Sequence, residues 1–171
     1  NGFTFTVGVG CEKYHVSSPA GSLRQYLAPF YDYDGDGCDD FLVTVYETQS
    51  QLSGADIVSG RTGQQLLRVL GFGDFLDAVA GASDLDGDGL MDILLGGGNF
   101  APGTVQAFSS ATGQRLWAWY SGYSGDLFGQ RMLGTVDLDQ DGLPDPLATS
   151  LSGAVGGSSL ARGYASIYNG R

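Results

Sequence analysis

Twelve of the chain's nineteen acidic residues are aspartates at matched positions of three nine-residue segments of one pattern: "DYDGDGCDD", "DLDGDGLMD" and "DLDQDGLPD". Four carboxylates crowded into nine residues repel one another unless a cation sits among them. Side chains at positions 1, 3 and 5 converge when the backbone turns tightly, here Asp32, Asp34 and Asp36, then Asp84, Asp86 and Asp88, then Asp137, Asp139 and Asp141. A glycine at position 6 (Gly37, Gly89, Gly142) permits that turn. The position 7 carbonyls of Cys38, Leu90 and Leu143 are natural further ligands, and Asp40, Asp92 and Asp145 close each site at position 9. Calcium takes 6 to 8 oxygens from flexible acidic loops, whereas magnesium keeps more of its waters. Transition metals favour imidazole or thiolate, and the chain has one histidine. The pattern therefore predicts three Ca²⁺ sites, which would move the formal net charge from −11 to −5. An EF-hand needs a bidentate acid at position 12 between helices; Val43, Leu95 and Ala148 stand there, in β-forming runs. A metal-free Asp/Gly turn is a fair account of one such loop, but not of three in one register.

Other chemistry is sparse. His15 lies close to Cys11 in "CEKYH", but one imidazole without a partner motif reads as structural. No G-x-S-x-G, H-E-x-x-H, phosphate loop or haem motif occurs, and the acids are taken by the loops, so the chain reads as non-enzymatic. Trp117 and Trp119 alternate on one strand face and could form a sugar platform. The aligned Leu67 and Val69 are apolar too, which favours packing. Only 8 Lys and Arg residues exclude a basic surface for nucleic acid or anionic lipid. No apolar run reaches the ~20 residues of a membrane span. The two cysteines, Cys11 and Cys38, suit one disulfide in an oxidising compartment, the alternative being two buried thiols. Beginning at Asn1 without Met, the chain reads as a processed or excised piece.

The loops must be positioned by repeated elements. Their starts lie 52 and 53 residues apart, a period that marks a repeat architecture. Upstream, "GSLRQYLAPFYD", "GDFLDAVAGASD" and "GDLFGQRMLGTVD" align. Downstream come "FLVTV", "ILL" and a weaker "PLAT" after Pro146, then "ADIVSGRTGQQLL", "VQAFSSATGQRLW" and "ASIYNGR". Each unit offers about four short strands separated by turn residues, with no helical period. The chain is predicted to be all-β, with an N-terminal strand and linker (1–20) and repeats over 21–72, 73–124 and 125–171. The third repeat stops before its outer strand. In "NGFTFTVGVG", Phe3, Phe5, Val7 and Val9 alternate with small residues, as a half-buried strand does.

On D-x-D-x-D-G-x-x-D, Phe128-Gly129, "AGASD" (80–84) and "SGRTG", the chain over residues 21 to 171 resembles the FG-GAP/VCBS repeats of integrin α-chain propellers and secreted bacterial proteins. The first unit keeps neither the FG nor the GAP signature. The resemblance implies four-stranded propeller blades with calcium in a loop between two strands of each. It usually implies seven blades, and about three cannot close such a ring. The expectation is thus a calcium-binding, extracellular, non-catalytic module for protein or glycan interaction or for assembly. One alternative is a fibre subunit joined by donation of the Asn1–Gly10 strand to an incomplete blade, giving a homopolymer. Another is a non-catalytic part of a secreted polysaccharide-active enzyme.

Overall fold

The structure is a computed structural model that describes residues 2–6, 13–17, 26–47, 50–72, 76, 78–97, 102–153 and 162–169. Among these there is no helix. Eleven strands form three antiparallel sheets, and two more form a separate ribbon. The ribbon pairs β1 (Gly2–Thr6) with β2 (Lys13–Ser17), Gly2 opposite Ser17 and His15 opposite Thr4. The expected N-terminal strand therefore has a local partner. Residues 7–10 lie outside the described residues.

Each sheet is a meander, the arrangement that short connections between antiparallel strands allow. Sheet 1 orders β3 (Leu27–Pro29), β4 (Phe41–Glu47), β5 (Leu52–Val58) and β6 (Gln65–Leu70). Sheet 2 orders β7 (Ala78–Ala82), β8 (Asp92–Gly97), β9 (Pro102–Phe108) and β10 (Arg115–Ser124). Sheet 3 has β11 (Arg131–Leu133), β12 (Leu147–Gly153) and β13 (Arg162–Ile167), and no fourth strand beside β13 among the described residues. β12 begins immediately after Pro146, which has no N–H for a ladder but whose carbonyl accepts from Tyr168 N at 2.8 Å.

The sheets stack face to face, and the period-2 alternation of each strand decides which neighbour a side chain meets. Leu42, Ala55, Ile57 and Val69 of sheet 1 share one core with Leu76, Ile93, Leu95 and Phe108 of sheet 2 and its approach. On the far face of sheet 2, Leu94, Val105 and Ala107 pack with Phe128 and Ala148. Leu76 and Phe128, at the same place in their repeats, each plug the preceding sheet. Close approach between sheets 2 and 3 requires glycine. A Cβ on Gly96 would overlap the Gly129 carbonyl, and one on Gly103 would stand 2.6 Å from the Phe128 backbone. The "FG" pair is thus a packing device. Trp117 stacks on Tyr168 with ring centroids 4.6 Å apart, and Trp119 meets Phe128 edge-on at 4.9 Å. The two tryptophans join sheets 2 and 3, in line with the packing expectation.

The two ends of the stack differ. On the outward side of sheet 1, Phe41, Val43 and Val58 are buried. On the outward side of sheet 3, Leu133, Leu147 and Ile167 form a cross-strand row, with Leu133 and Ile167 46% and 55% exposed. The equivalent residues Leu42, Ile57, Leu94 and Ala107 are fully covered by the next sheet.

Candidate metal centres

Each acidic loop joins the first strand of its sheet to the second, so β3–β4, β7–β8 and β11–β12 carry the three motifs. The backbone is left-handed at two places in every loop. Position 6 is the expected glycine, with φ of 87°, 89° and 91° at Gly37, Gly89 and Gly142. Position 4 is left-handed too, at Gly35, Gly87 and Gln140 (φ 73°, 82° and 61°). Gln140 shows that the third loop keeps this conformation without glycine's freedom, at some cost in strain.

This backbone brings carboxylates together. Asp32, Asp34 and Asp36 in the first loop, Asp84, Asp86 and Asp92 in the second, and Asp137, Asp139 and Asp145 in the third each present oxygens within 4.8 Å of one another. All three clusters could hold a metal ion. Nine of the twelve expected aspartates are in these clusters; Asp40, Asp88 and Asp141 are not.

The positions do different work. Position 1 accepts from the loop's own amides. Gly37 N reaches Asp32 Oδ2 at 2.8 Å, Gly89 N reaches Asp84 Oδ2 at 2.8 Å and Gly142 N reaches Asp137 Oδ2 at 2.9 Å. Burial raises the Asp84 pKa, but backbone N–H groups, led by those of Gly89 and Gly87, more than offset this and hold it below the usual carboxylate range. Position 5 accepts from position 7: Cys38 N to Asp36 Oδ1 at 2.9 Å, Leu90 N to Asp88 Oδ1 at 2.8 Å, and Leu143 N to Asp141 Oδ1 at 2.9 Å. The position 7 residues thus meet their loops through N–H groups.

Position 9 is the buried one, with Asp40, Asp92 and Asp145 each at most 3% exposed. Its Oδ2 accepts the amide of position 2: Tyr33 N at 2.9 Å, Leu85 N at 2.7 Å and Leu138 N at 2.8 Å. Its Oδ1 reaches across the sheet to the turn between the third and fourth strands, from Gly60 N to Asp40 at 2.9 Å and from Ser110 N to Asp92 at 3.1 Å. That turn is the repeated S-x-x-T-G-Q. Ser59 N donates to Gln64 O at 2.9 Å and Gly63 N to Ser59 O at 2.8 Å, and Ser109, Gln114 and Gly113 do the same. The two sequence signatures recur together because position 9 bonds one to the other. Burial pushes the Asp92 carboxyl up to about 6, against the two amides that favour its charge. Burial raises Asp40 as well.

The loops are also tied to one another. Tyr33 Oη donates to Ser110 O at 3.0 Å, which links the first loop to the turn that holds Asp92. Just upstream of the second and third loops, Ala82 bridges Gly134 and Ser83 N donates to Gly134 O at 2.9 Å.

The donor set is all hard oxygen, which suits a group 2 cation rather than a soft metal. Beside the second loop, Tyr31 Oη and Ser110 Oγ are both buried. Burial raises the Tyr31 pKa, and the charges of Asp88 and Asp92 add to the effect. Cys38 is buried and disulfide-bonded. Its expected partner, Cys11, lies outside the described residues and is the chain's only other cysteine. Sequence reasoning did not find the amides of Gly60 and Ser110, because a backbone N–H leaves no mark in residue type; only the recurrence of the turn motif hinted at them. Arg61, whose guanidinium engages the first loop, was also missed. No protein-family model matches the chain.

Proposed function

We propose that this is a non-catalytic, calcium-binding repeat module of the FG-GAP/VCBS kind, secreted or at the cell surface, whose three blade-like sheets serve binding or assembly. The observation that carries the reading is a cluster of three carboxylates, on one backbone conformation, at the same junction of each of three stacked sheets. The cluster aspartates would hold each ion, with the remaining carboxylates and the carbonyls of Cys38, Leu90 and Leu143 completing its shell. Calcium supplies positive charge where the loop would otherwise repel itself, so binding and folding are coupled.

Calorimetric titration tests this. At pH 7 the expected result is saturable calcium uptake with dissociation constants on the order of 10⁻⁴ M, as in other extracellular modules, and a much weaker response to magnesium. Absence of uptake in millimolar calcium would sink the reading. The second loop adds a pH signature. Asp92 must lose its proton to serve a cation, and without metal it keeps that proton up to about pH 6. Its apparent calcium affinity is therefore expected to fall about tenfold from pH 7 to pH 5.

A second reading, a subunit of an extracellular assembly, draws on the edge of β13, which pairs with no further strand among the described residues. Such an edge is a template for strand addition. β1 uses one edge on β2 and, among the described residues, pairs with no other strand. Light scattering of the chain with and without residues 1–17 tests donation by this ribbon: loss of a large, concentration-dependent species on deletion supports it, and unchanged mass rejects it.

A further inference from the structure

The three acidic loops share a backbone but not their surroundings. In the first, the Arg61 guanidinium stands on the loop: Nε lies 3.2 Å from Asp36 Oδ2, and Nη2 donates to the Asp36 carbonyl at 2.6 Å. Asp36 is one of the three carboxylates that form the first cluster. Arg61 sits in the turn whose Gly60 amide holds Asp40, so the turn delivers the guanidinium as part of the fold. The equivalent residue in the second repeat is the exposed Ala111, which brings no charge. In the third, the Asn169 carboxamide reaches Asp139 Oδ2 at 3.2 Å, a neutral donor.

We infer that the loops take up calcium unequally, the second before the first, because Arg61 is an internal counter-cation that competes for Asp36. The inference rests on the calcium reading and adds a residue that sets affinity. Two effects act in the same direction. A fixed guanidinium repels a divalent ion placed on the same carboxylates, and it relieves the repulsion among them that a bound ion would otherwise relieve. Arg61 is about half exposed, so solvent screens the contact and the effect is moderate. An ion pair of this kind corresponds to roughly a three- to fivefold change in a binding constant.

The test is a calcium titration followed by NMR on the amides of Gly37, Gly89 and Gly142, each of which donates to the position 1 carboxylate of its own loop. In the unmodified chain, Gly37 is expected to reach its midpoint at roughly three- to fivefold higher calcium than Gly89. Arg61→Gln should close that gap while leaving the Gly89 midpoint in place, which also reports that the fold is intact. Ala111→Arg should shift the Gly89 midpoint upward. Equal midpoints for Gly37 and Gly89 in the unmodified chain, or a gap that survives Arg61→Gln, would overturn the inference and leave the calcium reading standing. If no glycine responds to millimolar calcium, the calcium reading fails and the inference fails with it.

Discussion

Replacing Asp92 with alanine is expected to cost about 3 kcal/mol of folding stability, measured by urea unfolding in the presence of chelator. The carboxylate is fully buried and accepts the amides of Leu85 and Ser110. Without it both N–H groups lose their partner, and the second loop loses its tie to the Ser109–Gln114 turn. Each orphaned buried donor costs roughly 1–3 kcal/mol. Asp34→Ala gives the contrast. Asp34 is exposed and belongs to the first cluster, so this variant should keep its stability in chelator to within about 0.5 kcal/mol and lose calcium response at that loop. Equal losses in the two variants would contradict the division between a structural position 9 and a cation-facing position 3. The pH dependence in chelator has a definite sign. The Asp92 pKa is raised from 3.8 to about 6, so its contribution to stability is full below pH 3.8 and is lost as pH rises through about 6. Asp92→Asn should remove that slope, because the amide does not titrate.

Chelation of calcium is expected to lower the melting temperature by roughly 8–15 °C. For a site with a dissociation constant on the order of 10⁻⁴ M, calcium at about 1 mM stabilises the folded state by about 1.4 kcal/mol, and three such sites give about 4 kcal/mol. A chain of this length shifts by roughly 2–4 °C per kcal/mol. Scanning calorimetry before and after chelation measures it, with magnesium at the same concentration as the control. A melting temperature unchanged by chelation would mean that the clusters hold no ion that matters to the fold.

The loops were legible from sequence because everything that shapes them lies within nine residues: alternating aspartates, the position 6 glycine and the change to β-formers afterwards. The strands flanking them were legible for the same local reason. The role of position 9 was read only in part. Asp40, Asp92 and Asp145 carry the residue type of a ligand, yet each is first a buried acceptor for backbone amides, and in the first two repeats one of these comes from a turn 20 or 18 residues away. Three of the twelve aspartates, Asp40, Asp88 and Asp141, stand outside the clusters although they share the spacing of the residues inside them. The second strand of the N-terminal ribbon was not anticipated, since "KYHVS" has no counterpart in the repeats. The position 4 turn escaped notice because Gln140 breaks the glycine pattern while keeping the geometry.

Sheet 2 has a neighbour on each side, and the side chains of β8 alternate between two cores: Ile93 and Leu95 in one, Leu94 in the other. In thermodynamic terms this is a short one-dimensional lattice, where each site gains a coupling energy from each adjacent site. Among the three described sheets the central one collects two such couplings and each flanking one a single coupling, so within this stack disorder is expected to reach the middle last. Asp92, the most buried of the position 9 acids, lies in that central member. The second loop, whose turn carries Ala111 where the first has Arg61, is thus carried by the sheet with the most support against losing its shape.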